Sequence, residues 1–166
     1  MGHLREFRSG VNRADLILVT RTPEDFTTDQ KQLFLKKINK TIPVFFTKIS
    51  YAHFLSQKEK AEDLKVLENG FLLVTGIADP RHLVGHLKNQ YGTFDHLRFR
   101  DHHNYTQSDS KMIHERAEGK IILTTEKDYA KLAQIITDKN LYCLKIEQDF
   151  VFEEERILFD QMIQTV

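Results

Sequence analysis

The sequence predicts an α/β protein: a three-layer α/β/α sandwich around a mainly parallel, Rossmann-like sheet. Three observations predict it. First, a short apolar run, a polar cluster and a helix-start signal follow one another four times. Second, the runs are mostly contiguous and contain β-branched residues, as in strands buried on both faces. Third, 166 residues is the size of one ordinary domain, long enough to bury a real core.

The first unit is Leu16-Ile17-Leu18-Val19, followed by Thr20-Arg21 and Thr22-Pro23-Glu24-Asp25. Thr22 reads as a helix cap, Pro23 as a first helical residue and Asp25 as the partner in a capping-box variant. The helix is expected to run to about Lys40, with Phe34, Leu35 and Ile38 inward. Ile42 to Ile49 reads as a strand opened by Pro43, and the charged stretch from Ser56 to Glu68 as exposed. The second unit is Phe71-Leu72-Leu73-Val74, then Thr75-Gly76-Ile77-Ala78, with Asp79 and Pro80 opening a helix that closes at Gly92. The third is Leu97-Arg98-Phe99-Arg100, alternating and therefore wetter or near an edge. Asp101-His102-His103-Asn104-Tyr105 follows it, then a cap pair, Thr106 and Asp109. The fourth is Ile121-Ile122-Leu123, then Thr124-Thr125-Glu126-Lys127-Asp128, with Thr125 and Asp128 as the cap pair. A strand over Leu141 to Ile146 and an amphipathic helix from Phe152, burying Ile157, Leu158, Met162 and Ile163, complete the chain. Residues 15–166 are read as one domain, with linker strands near 141–151. Residues 1–14 form a lead-in in which Met1-Gly2-His3 reads as a tag remnant and Arg5, Arg8 and Arg13 as a solvated basic segment.

Composition narrows the function classes. The formal net charge is zero, so the basic excess of a nucleic-acid binder is missing. The single cysteine, Cys143, sits in an apolar run and reads as a buried thiol, which suits a reducing compartment. No apolar stretch reaches the length of a membrane-spanning helix. Neither G-x-x-x-x-G-K-[ST] nor G-x-G-x-x-G occurs; Gly70 and Gly76 are separated by a strand. The chain therefore carries no recognisable nucleotide cradle and reads as part of an enzyme.

In parallel sheets the functional groups collect at the carboxyl ends of the strands. Asp101-His102-His103 is the most chemically loaded such cluster. A histidine there can act as a general base, oriented by Asp101 or by an acid from elsewhere; an exposed capping turn is the plain alternative. Thr20 and Arg21 end the first strand, and Arg21 can face an anion. Glu126 and Lys127 follow the fourth strand and are not explained by capping. His82 and His86 share a helix face, but no third ligand stands at matching spacing, so no metal site is assigned.

Taken in order, these clusters resemble the tetraacyldisaccharide 4'-kinase family of lipid A biosynthesis. The matching residues are Leu4-Arg5-Glu6, Arg13 to Arg21, Thr75 to Pro80, Phe99 to Tyr105 and Leu123 to Asp128. The resemblance covers only the C-terminal half of that family. It implies a fold of two α/β/α domains joined by a small β linker, with the active site in the cleft. It also implies transfer of the ATP γ-phosphate, with Mg2+, to the 4'-hydroxyl of tetraacyldisaccharide 1-phosphate at the cytoplasmic face of the bacterial inner membrane. The P-loop domain, the magnesium-binding acids and a membrane-associating segment are expected in the missing N-terminal half, so this piece alone is expected to be inactive. The family's catalytic histidine falls on His102, with Asp101 beside it, and pairs there with an aspartate of the P-loop domain. Thr20, Arg21, Glu126 and Lys127 become candidates near substrate or nucleotide. Two other readings compete: a stand-alone Rossmann-like binding module, and a fragment of a D-H-H manganese phosphoesterase, which would need a D-x-D motif that is missing here.

Overall fold

A computed structural model describes residues 11, 13–38, 42–57, 60–137 and 139–164, with the backbone alone for 53–57 and 60–63. Met1-Gly2-His3, Leu4-Arg5-Glu6 and Arg8 lie outside the described residues. In chain order the elements are β1 (Ile17–Val19), α1 (Thr28–Ile38), β2 (Val44–Gln57), β3 (Lys60–Asp63), a 3-10 turn (Leu64–Asn69), β4 (Phe71–Thr75), α2 (Arg81–Tyr91), β5 (Asp95–Arg98), α3 (Gln107–Ala117), β6 (Ile121–Thr125), α4 (Glu126–Leu132), β7 (Leu141–Phe150) and α5 (Glu153–Gln164). The expected α/β class with a mainly parallel sheet is borne out: β1–β2, β4–β5, β4–β6 and β6–β7 pair in parallel, and β2–β3 is antiparallel. The chain forms two compact units, residues 1–50 with 147–166, and residues 51–146.

The 51–146 unit is built around β4, all of whose residues are buried. Alternation along the strand sorts its side chains. Phe71 and Leu73 join Leu83 and Leu87 of α2, with Leu123, Tyr142 and Leu144. Leu72 and Val74 join Ile113 and Ala117 of α3, with Ile122, Leu132, Ile136 and Leu141. Helices on both faces explain why the strand is a continuous apolar run. The caps of α3 and α4 form as the sequence predicts. Thr106 and Asp109 make a reciprocal capping box, and Thr125 Oγ1 accepts from the Asp128 N–H. Gly92, at φ 76°, closes α2 with its N–H on the Lys88 carbonyl. β5 is the edge strand that its alternating arginines suggested. Cys143 is buried.

The stretch from Ser56 to Glu68 departs from expectation. It folds back as β3 and the 3-10 turn, Leu67 is only 1% exposed, and Leu64 and Val66 pack against the α2-side core. The charged residues around these three had concealed them.

The end of α3 carries a strained residue. Glu118 adopts φ 51°, ψ 37°, a left-handed conformation that glycine takes without penalty. Glu118→Gly is expected to raise stability by about 0.5–1 kcal/mol. A higher denaturation midpoint checks this; a lower one would refute it.

In the other unit, Ile17, Leu18 and Val19 of β1 pair with Val44, Phe45 and Phe46 of β2. Here α1 begins later than expected. Thr22 is buried, and its hydroxyl donates back to the Val19 carbonyl rather than capping a helix. Thr27 and Gln30 form the cap instead: the Gln30 N–H donates to Thr27 Oγ1, and the Thr27 N–H to Gln30 Oε1. The tail is helical as expected, but its buried residue is Glu155. Ile157, Leu158 and Ile163 are exposed.

Candidate active site

The order β7-β6-β4-β5 sends the chain from β4 to β5 on one side, then back across β4 to β6. Beside such a reversal, the carboxyl ends of the strands leave a crevice where ligands bind. Here those ends are Thr75-Gly76 on β4 and Thr125-Glu126 on β6, and the Asp101-His102-His103 turn folds against them.

The turn is held by its backbone. His102 sits at φ 59°, a region few non-glycine residues occupy, although histidine does so more readily than most. Its N–H points to the Gly76 carbonyl (3.2 Å) and to Asp101 Oδ1 (3.0 Å). The His103 N–H donates to the Arg100 carbonyl, 3.1 Å away.

This backbone sends the two histidines different ways. His103 Nε2 lies 3.1 Å from Asp109 Oδ2, and its ring packs at a tilt on Phe99 and edge-on to Tyr105. Its role is structural. The His102 side chain is 77% exposed and borders a cavity of about 370 Å3 lined by Arg100, Asp101, His102, His103 and Asn104. Asp101 Oδ2 is 3.7 Å from His102 Nε2, beyond hydrogen-bond reach, so Asp101 does not orient the imidazole. It meets Lys127 instead: Lys127 Nζ lies 2.8 Å from Asp101 Oδ1, and this bond holds the Asp101 carboxyl below the usual carboxylate range. The structure thus brings together Asp101, His102 and Lys127. Glu126 is exposed beside them and makes no ion pair among the described residues.

Thr20 and Arg21 belong to the other unit, both exposed at the end of β1, with Arg21 at φ 58°. His82 and His86 are engaged by a residue that sequence reasoning missed. The Tyr51 hydroxyl is 2.9 Å from His82 Nδ1, and its ring stacks on His86 at 4.2 Å. Burial pushes the Tyr51 hydroxyl up to about 12.

Four further residues surround the turn and were missed as site residues: Gly76, Tyr105, Asp128 and Lys131. Lys131 Nζ donates to the His103 carbonyl at 2.8 Å. Asp128, 1% exposed, accepts from the Gly76 N–H (2.8 Å) and the Thr125 hydroxyl (2.9 Å). Burial, then the Asp128 carboxylate, raises the Tyr105 hydroxyl far above its ordinary range.

A family model for tetraacyldisaccharide-1-P 4'-kinase matches residues 1–166. The chain belongs to that family. It is 36% identical to the tetraacyldisaccharide 4'-kinase of Flavobacterium psychrophilum over 98% of this chain and 48% of that one. It is 35% identical to the enzyme of that name from Flavobacterium johnsoniae, over 93% and 46% respectively. The chain therefore spans about half the length of the curated relatives it matches. A crystal structure of LpxK from Aquifex aeolicus in complex with ATP has the same fold, with a TM-score of 0.62 and 22% identity, over 94% of this chain and 44% of that one.

Among the described residues no three His, Cys, Asp or Glu side chains converge to hold an ion. The manganese phosphoesterase reading gives way to the family match over residues 1–166, and the D-x-D motif it would need does not occur in the sequence.

Proposed function

We propose that the full-length protein is an ATP-dependent kinase for the 4'-hydroxyl of an acylated disaccharide 1-phosphate, and that this chain contributes His102 to the reaction. The observation that carries the reading is the division of labour in the turn. His103 and Asp101 are engaged by Asp109 and Lys127, while the His102 imidazole is exposed at the strand-order reversal of a chain in this kinase family.

In the step itself, the 4'-oxygen forms a bond to the γ-phosphorus. The bond from that phosphorus to the bridging oxygen of ADP breaks, and the hydroxyl proton passes to the His102 imidazole. Asp101 lies too far to orient that ring, so the orienting carboxylate is assigned to the other half of the protein. The nucleotide cradle and the Mg2+ ligands belong to that half as well. Catalysis then depends on the two halves closing on each other. Lys127 and Glu126 border the acceptor site, and Thr20 and Arg21 are offered for the nucleotide or substrate phosphates. The reaction is assigned to the cytoplasmic face of the inner membrane, because an acylated substrate sits in a membrane and ATP is supplied from the cytoplasm.

His102→Ala in the full-length enzyme is expected to lower kcat by about 10^2–10^4-fold, with little change in the KM for ATP. Equal turnover in mutant and wild type would remove His102 from the mechanism.

A further inference from the structure

Three residues of α4 hold the Asp101-His102-His103 turn. Lys127 bonds the Asp101 carboxylate (2.8 Å) and Lys131 the His103 carbonyl (2.8 Å). Asp128 is the buried one, and its hold is indirect. Its Oδ2 accepts the Gly76 N–H at 2.8 Å, and the carbonyl of the same Gly76 accepts the His102 N–H at 3.2 Å.

Hydrogen bonds on both the N–H and the C=O of one residue fix its backbone orientation, most effectively away from water. Asp128 is 1% exposed and Gly76 is buried, so this pair of bonds lies inside the fold. It ends on the amide of the one residue in the turn that is held at φ 59°. Such a conformation persists only where its surroundings over-determine it. In the cap of α4 the Asp128 N–H donates to Thr125 Oγ1 and Asp128 Oδ2 accepts the Thr125 hydroxyl, but the same Oδ2 also accepts the N–H of Gly76, which lies outside the helix. The carboxylate therefore serves a purpose beyond the cap. Its second oxygen, Oδ1, is buried, as is the Tyr105 hydroxyl near it. Both stand within 3 Å of where a Gly76 Cβ would be, at 2.9 and 2.7 Å.

We infer that Asp128 is a positioning residue for the reaction: by holding the Gly76 backbone, its carboxylate fixes the His102 backbone and so aims the imidazole. This rests on the assignment of His102 above, and it requires a hydrogen-bond acceptor at 128 rather than a charge.

The test uses the full-length enzyme with Asp128→Ala and the conservative Asp128→Asn. It reads kcat, the KM for ATP, and amide exchange by mass spectrometry in peptides covering His102. Asp128→Ala is expected to lower kcat about 100-fold at nearly constant KM, since a displacement of an ångström at a reacting group costs about that much. Exchange at His102 should quicken, while exchange in α3 stays as it was. Asp128→Asn, which retains an acceptor oxygen, should stay within about threefold of wild type in kcat. A folded Asp128→Ala with unchanged exchange at His102 overturns the inference. So does faster exchange with unchanged kcat in an enzyme that His102→Ala disables. If His102→Ala also leaves kcat intact, the kinase role of His102 fails, and the inference falls with it. Should Asp128→Ala not fold, Asp128→Asn is decisive: a folded protein with kcat within threefold upholds the inference, and one with kcat down more than tenfold overturns it, because an acceptor oxygen would then not be enough.

Discussion

Glu155→Ala is expected to destabilise the unit formed by residues 1–50 and 147–166 by about 3–5 kcal/mol, the usual penalty for removing one partner of a buried ion pair. Glu155 is 3% exposed. Its Oε2 accepts the Phe46 N–H at 2.7 Å, and its Oε1 is 2.6 Å from Lys31 Nζ. Removing the carboxylate leaves the amide of a fully buried β2 residue without an acceptor and a largely covered ammonium without a counter-charge. Lys31 would retain only the face of the Phe152 ring, 4.2 Å away. Phe46 is also the hub of an aromatic cluster with Phe26, Phe34 and Phe152, so displacement of its backbone disturbs several packed rings. Glu155→Gln keeps an acceptor for the amide and should lose less. Thermal unfolding of both variants checks the order; equal midpoints for Glu155→Ala and wild type would refute it.

Gly76→Ala is expected to cost about 1–3 kcal/mol, and Gly76→Val more, because neither obstacle can retreat freely. An added Cβ would stand 2.7 Å from the Tyr105 hydroxyl and 2.9 Å from Asp128 Oδ1. The Tyr105 ring is edge-on to both Phe99 and His103, and Asp128 is tied to Gly76 and Thr125. The conflict with tyrosine is with one oxygen atom. Tyr105→Phe should therefore recover part of the loss, giving a favourable coupling between the two changes in a double-mutant cycle. Additive losses in denaturant melts would mean that the hydroxyl is not the obstacle.

How far each of these features could be read from sequence depended on the distance between partners. β4 and β6 were legible because contiguous apolar residues leave little choice, and the caps of α3 and α4 because Thr106–Asp109 and Thr125–Asp128 lie within one turn. The start of α1 was misread because Thr22-Pro23-Glu24-Asp25 imitates a cap, while the hydroxyl of Thr22 turns back to Val19. In α5 the apolar period pointed inward, but the group that decides its facing is Glu155, whose partner Phe46 lies 109 residues away. His102 could be singled out by residue type and place. The hold on it could not, because Gly76 and Asp128 are 52 residues apart and meet only through the register of β4 against β6.

The backbone at position 102 has a consequence for protein engineering. A left-handed φ of 59° is tolerated by histidine, asparagine, aspartate and glycine better than by other residues. Aspartate and asparagine can therefore be installed there at little conformational cost, whereas glutamine or lysine cannot. A small library confined to that set would vary proton affinity from a carboxylate to none while the scaffold stays constant, so selection at this codon would rank acid–base strength rather than foldability.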